Sequence, residues 1–422
     1  LLGKAAELGR PVREPHELRR RLCALAVLGD DALHARVAPA WLAQLCHDSG
    51  LADYRASSGL PPRARLQHAL EAARARHAEA PEHARVYAVE EAIKHLALYV
   101  VTAIVIGVRT ADTRLIQSLP ELMEPFAPLS PALHAIWQNV VGLVEVQVQD
   151  RRISAARRHR EVYEDLQRQD SEGVPYVRVI CGALAHAVGS FEAYMGRPVA
   201  FEWAALLDHD RLQRVAAMEI RRAVWLMRGE SERADDYERQ AELLALHAEV
   251  RRMFDRPWLH ELDFAVLTAD LARVQRVAEE LAQLCTKCPA WQSLRHAAEG
   301  FFLLLRGDPA AALGAFEQSI AHADSPERPS QLGVWVQAIA GSMCALSALG
   351  RDAAAAERGS RALERCHAAG VEVSWFRIVR ALALAEAKLG EAPRAIARIE
   401  RLMASEEEVA ILGLHRAVTY EV

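Results

Sequence analysis

LRGDPAAALGAFEQSI, Leu305 to Ile320, contains the tripeptide Arg306-Gly307-Asp308, which reads either as an adhesion motif or as a corner between two helices. An adhesion ligand needs an exposed, flexible loop in an extracellular setting. In this stretch each residue already has a local task. Glycine lets the backbone turn without a side-chain clash; Asp308 carries an N-cap side chain, and Pro309 sits at the first helical position, where its missing N–H costs nothing. The reading is helix, corner, helix.

The same grammar recurs on both sides. Gly307, Gly350 and Gly390 each end an apolar segment and precede an alanine-rich one, so the corners return at a nearly constant interval. Gly229 lies close to two such intervals before Gly307, and Ala269 in LTADLARV sits almost midway between them. Small residues follow five positions after the glycines (Ala234, Ala312, Ala355, Ala395), and Ala241, Ser319, Ala362 and Leu402 follow at twelve. Trp291, Trp335 and Trp375 precede their corners by almost the same distance each time. Small residues let neighbouring helices approach, while Leu313, Phe316 and Ile320 can fill the seam. A single helix pair cannot bury its apolar face alone, so pairs are expected to stack.

Residues 229 to 404 thus resemble tetratricopeptide-type helical repeats, with Gly300 in a first helix, the Gly307-Asp308 turn, Ala312-Leu313 opening the second helix and Phe316 one turn on. The intervals exceed the usual repeat of about 34 residues, and Gly359 stands where the family places an aromatic side chain. The resemblance implies an all-α fold, an α-solenoid of antiparallel helix pairs forming a TPR-like superhelix. It also points to the sensor and scaffold regions of large bacterial signalling ATPases and Ser/Thr kinases. The expected division is a repeat array over residues 131–422, preceded by a helical region over 1–130 formed of degenerate repeats or a cap. Gly196 and Asp150 are candidate earlier corners, and Ser57 to Pro62 and Pro120 to Pro131 are candidate joints.

Bulk properties set outer bounds. Of 422 residues, 51% are hydrophobic and 25% charged, the usage of an ordinary folded chain. The net charge of -5 offers no global positive field, so direct nucleic-acid binding is not expected. Four lysines against abundant arginine suggest the coding bias of a GC-rich bacterium. Seven scattered cysteines do not have the dense spacing of a disulfide scaffold, which points to the reducing cytoplasm. The first residues, Leu1-Leu2-Gly3, lack a methionine and suggest a fragment or a processed product. The uncharged run Leu96 to Val108 falls well short of the roughly 20 residues that cross a bilayer, and is expected to be a buried core helix rather than a membrane segment.

Helix starts are marked by Ser130-Pro131 and by Ser405 with Glu408, the spacing of a capping box. VEVQVQ, Val144 to Gln149, alternates as a strand would. Trp137, Val141, Val144 and Val148 nevertheless fall on one helical face, and helix is expected.

Motifs for chemistry are missing. Cys285-Thr286-Lys287-Cys288 has zinc or thiol-exchange spacing, but no second ligand pair matches it, and it ends a helical run instead of opening one. No His-Glu-x-x-His, duplicated Glu-x-x-His, P-loop, nucleophile elbow or dinucleotide glycine pattern occurs. Glu91 and His95 read as an exposed pair one turn apart, and Asp208-His209-Asp210 as a capped helix end. No catalytic residue, metal or cofactor is assigned.

Function is expected to reside in a groove. The first helix of each pair usually lines it, which presents Arg377, Arg380 and Leu384 before Gly390, Gln337 and Ser347 before Gly350, and Phe301 and Leu304 before Gly307. Arginines beside apolar walls suit a peptide or protein partner with acidic and hydrophobic side chains. The leading expectation is a non-enzymatic interaction scaffold. The alternative is a ligand-sensing domain that controls an attached ATPase or DNA-binding domain.

Overall fold

A computed structural model describes residues 38, 42–43, 45–46, 50–78, 89–168, 177–209, 213–247, 258–324 and 331–409. All regular structure among these residues is helical. In chain order the helices are α1 (Leu51–Ala56), α2 (Pro62–Ala78), α3 (Val89–Thr110), α4 (Thr113–Met123), α5 (Pro131–Gln147) and α6 (Arg152–Arg168). Next come α7 (Val177–Tyr194), α8 (Ala200–Leu207), α9 (Arg214–Met227), α10 (Ser231–His247), α11 (Trp258–Leu267) and α12 (Leu271–Cys285). The remainder are α13 (Gln292–Leu305), α14 (Pro309–Ala323), α15 (Leu332–Ala348), α16 (Asp352–Ala369), α17 (Phe376–Lys388) and α18 (Ala392–Val409). From α3 to α10, and again from α11 to α18, successive helices pack together. From α3 through α17 each odd-numbered helix also touches the next odd-numbered one, α9 and α11 included.

The corners fall where the sequence places them. Gly229, Gly307, Gly350 and Gly390 have φ of 80°, 82°, 71° and 83°, and Ala269 adopts the same left-handed conformation at 52°. The Gly307 N–H donates to the Leu304 carbonyl at 3.0 Å and the Asp308 N–H to that of Leu303 at 3.0 Å, a Schellman closure. Arg351 to Leu346 (2.9 Å) and Glu391 to Glu386 (3.0 Å) repeat it. Asp308 then accepts from the Ala311 N–H at 3.0 Å, so the RGD tripeptide is a corner and a cap. Gly196 (69°) and Asp150 (54°) are corners too, and Ala111 (53°), which no glycine marked, extends the series upstream of residue 131.

A Cβ added at Gly307 meets nothing within 4 Å, so only backbone strain opposes it. Gly307→Ala is therefore expected to cost about 1–2 kcal/mol, read as a lower denaturation midpoint. A variant as stable as the parent would argue against a left-handed corner there.

Packing follows the small-residue pattern. Ala234, Ala312 and Ala355 are fully buried, as are Ala241 and Ser319 two turns further on in their helices. Phe316 packs edge-on to Phe301 at 4.9 Å. Its ring lies against Gly300 and Gly341, and a Cβ at Gly300 would stand 2.7 Å from it. Gly359 does similar service for Met343. Leu96, Val100, Ala103 and Ile106 are buried in the core. Among the described residues no helix is long and apolar enough to cross a membrane. VEVQVQ is helical through Gln147.

Three expectations need correction. Ser405 and Glu408 lie inside α18 and open no helix. His95 is only 4% exposed, because its face of α3 turns inward, so it is not half of an exposed pair with Glu91. Pro120 to Pro131 is no bare joint: Pro120 lies within α4, a 3-10 turn covers Glu124–Leu129, and Phe126 stacks on Tyr54 at 5.1 Å.

The chain also folds back on itself. Glu372 accepts from the Ile153 N–H at 2.8 Å and the Ser154 N–H at 3.0 Å, and it also takes the Ser154 hydroxyl. A carboxylate at a helix N-terminus satisfies orphan donors and the dipole together, so an acid from far along the chain caps α6. Arg151 donates to the Ala369 carbonyl at 3.4 Å. The Trp291 indole donates to the Arg109 carbonyl at 3.0 Å, a second bridge between distant parts of the chain.

Candidate functional site

Five of the seven residues expected in a groove lie buried in the interior. Arg377 donates to the Tyr194 hydroxyl and to Asp263, and Gln337 donates to the other Asp263 oxygen at 2.9 Å. Burial works to lower the Arg377 pKa, but Asp263 and Tyr194 outweigh it and hold the guanidinium charged. Arg380 is buried over the Phe376 ring at 5.0 Å, and burial together with the charge of Arg377 brings its pKa down to about 10. The Ser347 hydroxyl donates to Asp352, and Phe301 belongs to the aromatic pair with Phe316. Leu304 is half-buried and Leu384 is exposed at 37%. The correction has a physical cause: a helical face gives no sign of which distant helix will cover it, and Asp263 lies six helices before Arg377 in the chain.

This polar cluster adjoins a partly open cavity of about 350 Å³. Helices α3 to α7 and α9 contribute to the lining, as do Trp291 and the starts of α13 and α15. Its walls are mostly aliphatic, among them Ile104, Leu143, Val146, Ile220 and Val334. Arg152 and Tyr194 line it and join it to the cluster: Arg152 pairs with Asp150 at 2.8 Å and lies over the Tyr194 ring at 4.8 Å. Burial pushes the Tyr194 phenol up to about 12.

Two histidines face the same space. His159 reaches in from α6, and Gly142 makes this possible, because a Cβ there would collide with the imidazole. Its Nε2 lies 3.3 Å from the Asn139 carbonyl oxygen. Burial is the largest influence on both rings and brings His159 and His186 down to about 4 each. His186 Nε2 is 3.5 Å from the Ser190 hydroxyl, which also lines the cavity. Both imidazoles are neutral near pH 7, so they present hydrogen-bonding capacity without charge. Sequence motifs did not reveal these residues, since neither histidine has ligand or catalytic spacing. The nearest signal is Gly142 on α5, whose missing side chain leaves room for His159, with Ala183 and Ala187 as small neighbours of His186 on α7.

Other lures resolve as structure. Cys285 ends α12, and burial raises its thiol pKa. Asp208 is the C-cap of α8 and pairs with Arg221 at 2.5 Å, while Asp210 lies outside the described residues. No cluster of three or more metal-ligating side chains occurs among the described residues.

No family model matches the chain, and no curated protein matches it significantly.

Proposed function

We propose that the chain is a TPR-like α-solenoid of antiparallel helix pairs that binds a small molecule in its interior and acts as the sensing element of a larger bacterial signalling protein. Its role is binding, not catalysis, in a reducing cytoplasm where the cysteines remain thiols. The regular corners and the contacts between alternate helices support the architecture. The ligand reading rests chiefly on the cavity. It falls in the range of about 300–1,000 Å³ usual for small-molecule sites, and its mix of apolar walls with a few polar groups is their usual lining. Because the lining comes from sequence-distant helices, a bound molecule would link parts of the chain that otherwise meet only through contacts such as those of Glu372 and Trp291. That is how occupancy could bias an attached ATPase or DNA-binding domain.

A peptide-binding scaffold is the rival reading, and the burial of Arg377, Arg380 and Gln337 weighs against the groove first expected for it. A thermal-shift screen of small-molecule metabolites separates the two. The right compound at a hundred times its Kd should stabilise the protein by about 2.7 kcal/mol, and the effect should vanish in Val146→Trp, which fills the cavity. If no compound stabilises the protein while acidic peptides bind it and lose affinity on Leu384→Asp, the scaffold reading replaces this one.

A further inference from the structure

We infer that the cavity selects an uncharged, mainly aliphatic molecule that carries one polar group directed at the imidazole and amide groups of its wall. The inference deepens the ligand-binding reading and rests on it.

The argument starts from charge. Besides the two histidines, the ionisable side chains lining the cavity are Arg152, Glu219 and Tyr194. Arg152 is already paired with Asp150 at 2.8 Å, and Glu219 lies 3.5 Å from the buried Arg222. Tyr194 accepts a hydrogen bond from Arg377. With their pKa values near 12 for Tyr194 and near 4 for His159 and His186, all three groups are neutral across the physiological range. A carboxylate or ammonium moving from water onto these walls would lose part of its hydration without gaining a free counter-charge, a penalty that disfavours ions there.

Polarity gives the second step. Ser190, His186, Asn139 and Gln147 are all among the residues that line the cavity. Hydroxyl and amide groups can each donate and accept, and a neutral imidazole does one at each nitrogen. Such a set can pair with an alcohol, a ketone or an amide. Aliphatic side chains make up most of the remaining wall, so the rest of the ligand gains by leaving water.

Competition among matched probes tests this. Nile red, neutral and fluorescent in apolar surroundings, serves as the reporter on the full chain at pH 7. The competitors are 1-decanol, decanoate and decylammonium, which share a chain and differ in head-group charge. The expected result is Nile red emission that decanol displaces at least about tenfold more effectively than either ion, a difference of about 1.4 kcal/mol. Emission should fall in Ala187→Phe and in Val146→Trp, with helical circular dichroism retained in at least one of them. If decanoate or decylammonium competes as well as decanol and the two variants still block the signal, the ligand class is wrong and the site stands. If Nile red gives no signal, or one that survives both folded variants, the cavity is not a binding site and both readings fall.

Discussion

Replacing Glu261 by alanine should lower the stability of the protein by about 3–5 kcal/mol, the range for removing one member of a buried ion pair. Glu261 and Arg222 are both fully buried and directly paired. The other carboxylate oxygen lies 3.5 Å from Arg273 and 3.6 Å from Arg276. Burial alone would lower the Arg222 pKa, but Glu261, Glu219 and Glu238 together raise it above its ordinary value. Removing Glu261 leaves a fully buried guanidinium with two weaker partners, each at 3.5 Å. Because α9, α10, α11 and α12 all contribute to the cluster, the loss should spread across several helices. Long helical arrays can unfold in parts, so the measurement should combine a denaturation midpoint with hydrogen exchange along residues 214–285. A variant within about 1 kcal/mol of the parent, far below the range for a broken buried pair, and unchanged in exchange would mean that this cluster does not form as described.

Acid should destabilise the protein well before its carboxylates titrate. His159 has its pKa lowered from an ordinary 6.5 to about 4, with burial as the main cause. Between those values the unfolded chain binds a proton that the folded chain refuses, so stability rises with pH across that interval. The full contribution is present above about pH 6.5, declines as the pH falls and levels off below about pH 4. For His159, which is 2% exposed, the loss across the interval is about 3 kcal/mol, with about 2 kcal/mol of it gone by pH 5. His186 shifts in the same direction and adds to the slope. Denaturation midpoints at pH 7.5, 6 and 5 for the parent and for His159→Gln check this. The variant should show the shallower decline, and parallel curves would refute the assignment.

Much of the fold was legible because its signals are local. A left-handed corner needs a residue that tolerates φ > 0, and glycine advertises it at Gly229, Gly307, Gly350 and Gly390. Period located Ala269, and the same signals were present but unread at Ala111, which lies about one interval before Asp150 and whose Thr110-Ala111-Asp112 repeats Thr268-Ala269-Asp270. Capping was equally local at Asp308 and Ser130. The site was not legible, for the opposite reason. Arg377 and Arg380 look like solvated arginines on an exposed face until Asp263 and Tyr194 arrive from distant helices. His159 acquires its setting only through Gly142 on the neighbouring helix, and the cavity belongs to no single stretch of chain.

Glu372 carries a consequence for how this architecture can change length. Simple helical arrays tolerate the gain or loss of a unit, since each unit answers only to its immediate neighbours. Here the first turn of α6 depends on one distant carboxylate. Inserting or deleting a corner-to-corner block between Arg168 and Glu372 would carry that acid out of reach and leave the Ile153 and Ser154 amides without their acceptor. Duplication inside that interval therefore costs this cap, about 0.5–2 kcal/mol for a helix cap, whereas duplication outside it leaves the clasp intact.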